Sequence, residues 1–175
     1  EDLGADPDPY WTDVSFFSSR RALGTLRSSV ETKLSGFMDK VRRASGSSSG
    51  VMKDGHRTPR RSVQPAREIT ASGSEDVTKV LSDLSLNRNE RGSMDLCFAT
   101  SMIEVGLDVP RLGLMTVIGQ PKGSSQYIQV SGRVGRSNKA PALVVDILSG
   151  HSPRDRSHYE GFIAWHERLY ASVES

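Results

Sequence analysis

The sequence predicts an α/β fold built on a parallel sheet flanked by helices, and three observations carry that prediction. Short apolar runs alternate along the chain with segments of helical periodicity, as they do where strands are joined by helical crossovers. The run Leu114-Met115-Thr116-Val117-Ile118 is almost continuously apolar, the pattern of a strand covered on both faces. The 175 residues suffice for one domain with a single core.

Composition excludes several classes of function. With 35% hydrophobic and 25% charged residues the chain reads as globular rather than disordered. No apolar run approaches the ~20 residues that span a bilayer, and no signal peptide is visible, so no membrane role is expected. The single cysteine, Cys97, cannot form an internal disulfide and is read as a core residue, which fits a reducing cytoplasm. The first residue is Glu1 rather than Met, so the chain is expected to belong to a longer polypeptide. The net charge is only +2, but residues 1–13 carry five acids and no base, whereas residues 40–67 carry eight bases against Asp54 alone. Such a basic tract can follow a phosphate backbone, or simply be a solvated loop.

Taken in order, residues 1–12, with Pro7 and Pro9 among acids, read as a leader or interdomain linker, and residues 13–175 as the domain. Val14-Ser15-Phe16-Phe17 is a strand, and Leu23, Leu26, Val30, Leu34, Phe37 and Val41 recur at helical spacing after it. Ser18-Ser19-Arg20-Arg21 lies between them, at the carboxyl end of the strand, where open α/β sheets place ligands. Periodicity is lost over about 44–66, a flexible basic insertion. Residues 67–70 form a strand, residues 72–76 a helix start, and Val77, Val80, Leu81 and Leu84 the buried side of that helix. Further strands are read at 95–99, 114–118 and 142–147, the last as buried, with a helix over 124–130. Ser152-Pro153 caps one C-terminal helix whose face is Tyr159, Phe162, Ile163, His166, Leu169, Tyr170 and Val173.

Two blocks within residues 99–136 carry the chemistry. The first is Ala99-Thr100 leading into Gly106-Leu107-Asp108-Val109-Pro110. The second is Gln129-Val130-Ser131-Gly132-Arg133-Val134-Gly135-Arg136, with two arginines three residues apart, each after a glycine. Guanidinium groups stay charged and engage two oxygens at once, which suits charge spreading over a phosphoryl group as its bond loosens. Gln129, four residues before Arg133, would orient water or a phosphate oxygen from the same helical face. The bland reading, a surface helix with a glycine-arginine end, is disfavoured by the whole eight-residue pattern. A dinucleotide fingerprint is excluded because the glycines do not follow a strand as G-x-G-x-x-G.

These blocks resemble motifs V and VI of superfamily 2 helicases, whose second RecA-like lobe carries Q-x-x-G-R-x-G-R. The resemblance implies that Arg133 and Arg136 are fingers reaching ATP, with Gln129 beside them, and that Gly106, Asp108, Gly132 and Gly135 lie at the nucleotide. It implies that Thr100 touches the nucleic-acid backbone. Ser19 and Arg20 loosely match motif IV and would meet a phosphate, and backbone groups at Gly73 and Ser74 would hold another. Gln120-Pro121-Lys122 and the tail from Pro153 to Glu160 further resemble the helicase of the DISARM anti-phage system.

The chain lacks a G-x-x-x-x-G-K-[ST] loop and an Asp-Glu box. ATP and Mg2+ are therefore expected mainly on an absent first lobe, and this fragment alone is expected to be inactive. The expected partners are that first lobe, nucleic acid, with DNA favoured over RNA, and proteins of a defence complex. The alternative is a non-catalytic nucleic-acid-binding or docking module that keeps the lobe's shape. No histidine has metal-ligand spacing with cysteine. Arg154, Asp155, Arg156 and His158 form either a functional cluster or a dock for the last helix. Trp165 is read as packing or a lobe contact in preference to a base-stacking platform, and Trp11 as either.

Overall fold

The computed structural model describes residues 6–44, 63–70, 76–100, 106–137 and 140–171. Most of the basic insertion, together with Gly73 and Ser74, lies outside them. Five strands form one parallel sheet: β1 (Asp13–Phe17), β2 (Arg67–Ile69), β3 (Leu96–Ala99), β4 (Leu114–Ile118) and β5 (Leu143–Ile147), in the order β2-β3-β1-β4-β5. β1 is central because it can be buried on both sides. Val14 and Phe16 join one core cluster and Phe17 the other.

One face is covered by α1 (Arg20–Ala44), through Leu23, Leu26 and Val30 packed with Phe17 and Phe98. At ~1.5 Å per residue this helix is far longer than a five-residue strand. It overhangs the sheet, and Phe37, expected on its buried side, is 61% exposed. The other face is covered by α2 (Val77–Ser85), α3 (Ser124–Ser131) and the segment 106–113, through Val80, Leu84, Val130, Leu107, Val109 and Leu112. The α2 cap, expected within 72–76, is Asp76, whose carboxylate accepts from Thr78 N at 2.9 Å.

Three expectations change. β5 is an edge strand rather than a buried one: Leu143, Val145 and Ile147 are 52%, 40% and 51% exposed. They share a face with Leu114, Thr116 and Ile118, of which Ile118 packs with the α1 cluster while the β5 side chains stay exposed. The single C-terminal helix is two short ones, α4 (Pro153–Glu160) and α5 (Phe162–Glu167), divided at Gly161, the C-cap of α4. The division turns Tyr159, Ile163 and Tyr170 outward, and among the described residues of the expected face Leu169 is the buried apolar side chain, Val173 lying outside them. Residues 6–12, read as a leader, are packed into the domain. Asp8 and Thr12 are buried, Tyr10 Oη donates to Pro141 O at 2.7 Å, Thr12 Oγ1 donates to Met94 O at 2.6 Å, and Gly113 N donates to Pro9 O at 2.7 Å. Among the described residues no helix is long and apolar enough to cross a membrane.

Candidate helicase-lobe site

The two sequence blocks meet in space. Gly106 has a φ of +66°, which lets the chain turn into Leu107, a fully buried core residue. With Leu107 fixed, its carbonyl and the Asp108 carboxylate are presented at the surface. From the other block Arg133 Nη1 donates to Leu107 O at 3.2 Å, and Arg136 Nη1 pairs with Asp108 Oδ1 at 2.8 Å. Arg136 Nε also donates to Gly132 O at 3.1 Å. The Arg136–Asp108 pair is open to water, with side chains 39% and 62% exposed, so it is worth at most about 1 kcal/mol and can be exchanged.

α3 ends at Ser131 with Gly132 as its C-cap, so Arg133 and Arg136 follow the helix instead of lying on it. Gln129 stays exposed on α3, off the face that the sequence assigned to both it and Arg133. Gly135 has a φ of +71°, and a Cβ there would lie 2.5 Å from Ala142 Cβ. The glycine is required by the turn and by packing against the entry to β5, quite apart from any ligand.

The residues assigned to nucleic acid lie elsewhere, at the carboxyl ends of neighbouring strands. Ser19 Oγ caps α1 by accepting from Ala22 N at 3.2 Å, and Arg20 beside it is exposed. Thr100, half-buried after β3, donates its N–H to Ile69 O at 3.1 Å, tying the ends of β2 and β3 together. Gly73 and Ser74 follow β2 in the chain, outside the described residues. The arginine and hydroxyl sets thus sit on different elements, the first after α3 and at 107–108, the second at the ends of β1 and β3.

Of the tail cluster, Asp155 is buried and accepts from Ser149 N at 2.8 Å and Gln120 N at 3.2 Å, which docks α4 on the sheet end. Arg154 Nη2 donates to Pro121 O. Trp165 packs edge-on against Tyr127 at 5.0 Å and His158 at 4.4 Å. Tyr127 Oη donates to Asp146 Oδ2 at 2.9 Å, and burial beside that carboxylate pushes the phenol above its ordinary range. Cys97 is fully buried, as expected of a core residue. Among the described residues no group of three His, Cys, Asp or Glu side chains is gathered as for a metal. Reading the sequence missed Asp8 and Arg111, whose partners lie far apart in the chain.

Comparison with known proteins bears on both blocks at once. A family model described as the helicase conserved C-terminal domain matches residues 69–138, taking in the threonine, the aspartate and both arginines. The DISARM protein DrmA of Bacillus paralicheniformis is 38% identical over 179 residues, covering 99% of this chain and 14% of its own length. The chain is thus similar to helicase C-terminal domains over residues 69–138 and to DrmA over nearly its whole length. It is also 35% identical over 88 residues to the ATP-dependent DNA helicase RecG of Haemophilus influenzae, covering 41% of the chain and 13% of RecG. Its RecA-like fold matches the Mycobacterium smegmatis helicase Lhr, solved with ssDNA and AMP-PNP. The TM-score is 0.56 at 20% identity, over 93% of this chain and 17% of Lhr. The chain therefore spans about a seventh of the length of the curated relatives it matches.

Proposed function

We propose that this chain is the second motor lobe of an ATP-dependent helicase or translocase acting on DNA in a defence setting, in the cytoplasm, with ATP and Mg2+ held mainly by a first RecA-like lobe. The observation that carries the reading is the junction of the two blocks, where Arg133 and Arg136 converge on Leu107 and Asp108 at the surface. The donors fit a polyphosphate. Each guanidinium has five N–H donors, of which Arg133 spends one and Arg136 two, so both retain donors for phosphate oxygens. ATP supplies the free energy of its terminal phosphate bond. Arg136 exchanges an exposed carboxylate for phosphate oxygens, Arg133 adds a second charge, and Gln129 completes the polar set. Gly106, Asp108, Gly132 and Gly135 shape the edge facing the nucleotide.

Thr100, Ser19, Arg20, Gly73 and Ser74 grip the nucleic-acid backbone. Closure of the lobe onto its partner on each cycle shifts that grip by one step. The DNA preference is supported by the relative named as a DNA helicase and by the Lhr structure with ssDNA. The DISARM relative supports partners from a defence complex. The alternative, a docking module, gives no reason to keep two arginines beside glycine turns. In the intact polypeptide Arg136→Ala should lower ATP hydrolysis by about 10³-fold or more with nucleic-acid affinity unchanged. Full turnover by that variant would overturn the finger assignment.

A further inference from the structure

A recess of about 550 Å³ opens at the carboxyl end of β4, apart from the arginine junction and from Thr100. Its walls come from three elements: Gln120 to Gly123 and the first turn of α3, Arg154 and His158 on α4, and Trp165 on α5. Two cations stand in those walls, Lys122 and Arg154, and no carboxylate does. Asp155, the acid behind the wall, is buried with its oxygens occupied by Ser149 N and Gln120 N. Arg154 spends one donor on Pro121 O, which fixes its guanidinium at the rim and leaves the others open. His158 adds ring surface to the wall, and its Nε2, buried without a hydrogen-bond partner, is closed to the recess. The recess is therefore cationic and rich in open donors, and one side of it is an indole.

Its position selects the ligand. β4 pairs with β1 with Ile118 opposite Phe17, and Ser18 N donates to Ile118 O at 3.3 Å. Gln120 and Lys122 thus leave the sheet beside Ser19 and Arg20, on strands roughly 4.8 Å apart. Connections from β1 and β4 depart in opposite directions across the sheet, so the gap between them is a topological switch point, where such sheets bind ligands. A ligand with regularly repeated negative charge can engage Arg20 and Lys122 together. An isolated anion has no use for the aromatic wall.

Building on the motor-lobe reading, we propose that this recess is a further nucleic-acid contact of the lobe, holding one backbone phosphate between Lys122 and Arg154 with the adjoining sugar and base against Trp165. It lengthens the track from Thr100 and Arg20 across β4 to the C-terminal helices.

The test uses fluorescein-labelled oligo-dT with the wild-type chain, Lys122→Ala and Arg20→Ala, each titrated at several salt concentrations. Lys122 is exposed, so its truncation leaves the fold intact. Lys122→Ala should weaken binding about tenfold and reduce the slope of log K against log salt by roughly 0.7, the loss of one single-strand phosphate contact. In a Trp11→Phe background, oligo-dT should quench Trp165 emission at concentrations where inorganic phosphate does not. If Arg20→Ala weakens binding while Lys122→Ala changes neither affinity nor slope, the recess proposal falls and the motor-lobe reading stands. If the wild-type chain binds no oligo-dT at any salt, both fall. Quenching by inorganic phosphate, with oligo-dT affinity untouched in Lys122→Ala, would make the recess a free-anion pocket and overturn the proposal.

Discussion

Arg111 and Arg136 each stand beside a carboxylate, and their surroundings give them opposite work. Arg111 is partly buried, its side chain 11% exposed: Nε donates to Leu84 O at 2.7 Å, Nη2 to Thr12 Oγ1 at 2.7 Å, and Nη1 lies 3.6 Å from Asp8 Oδ2. Burial pulls the Arg111 pKa down and Asp8 pulls it part of the way back, while the guanidinium stays charged. Removing one member of the pair strands the other, at a cost of about 3–5 kcal/mol. Arg111→Ala should therefore shift the urea midpoint strongly, whereas Arg136→Ala, which breaks a surface pair, should change stability by no more than about 1 kcal/mol. Equal midpoints for the two variants would contradict this division of roles. From sequence alone Arg136 was recognisable, because its neighbours form a pattern. Arg111 was not, because Asp8 and Leu84 reach it only through the fold.

At the scale of elements, β1, β4, α1 and α3 could be read in advance because their periodicity is local. β5 was read as a strand but misjudged as buried. The run Leu143-Val144-Val145-Asp146-Ile147 is apolar enough for a buried strand, and what decides exposure is which neighbour covers it. Val144 packs on the core while Leu143, Val145 and Ile147 face outward. Replacing those three with threonine keeps strand-forming side chains and removes an apolar patch. The variant should show less light scattering and a melting temperature within a few degrees of wild type, whereas Val144→Thr should lower it clearly. Equal losses in both would place all four residues in the core. The break at Gly161 was equally hidden, since a glycine within a helical pattern does not by itself announce a stop.

For the whole molecule, the arginine junction lies after α3 and the strand-end hydroxyls at the ends of β1 and β3, and on the motor-lobe proposal each is one side of a site. The phosphate loop, which these 175 residues do not contain, belongs on that proposal to a first lobe that would hold the nucleotide against the arginines. Phosphate release by the isolated chain with ATP and Mg2+ should stay at background, with or without DNA, in a colorimetric phosphate assay. Turnover above background would show that the lobe is self-sufficient.

The packing of residues 6–12 has a mechanical consequence. Asp8 accepts from Arg88 N, Thr12 is bonded to Met94, Pro9 to Gly113 and Tyr10 to Pro141, and the next residues enter the central strand with a ladder on each side. Tension applied at residue 6 is thus spread over several anchors. It then loads β1 in shear, with its hydrogen bonds strained together rather than unzipped one at a time. A pull on the chain at residue 6 would therefore reach the sheet through its central strand and not through an edge.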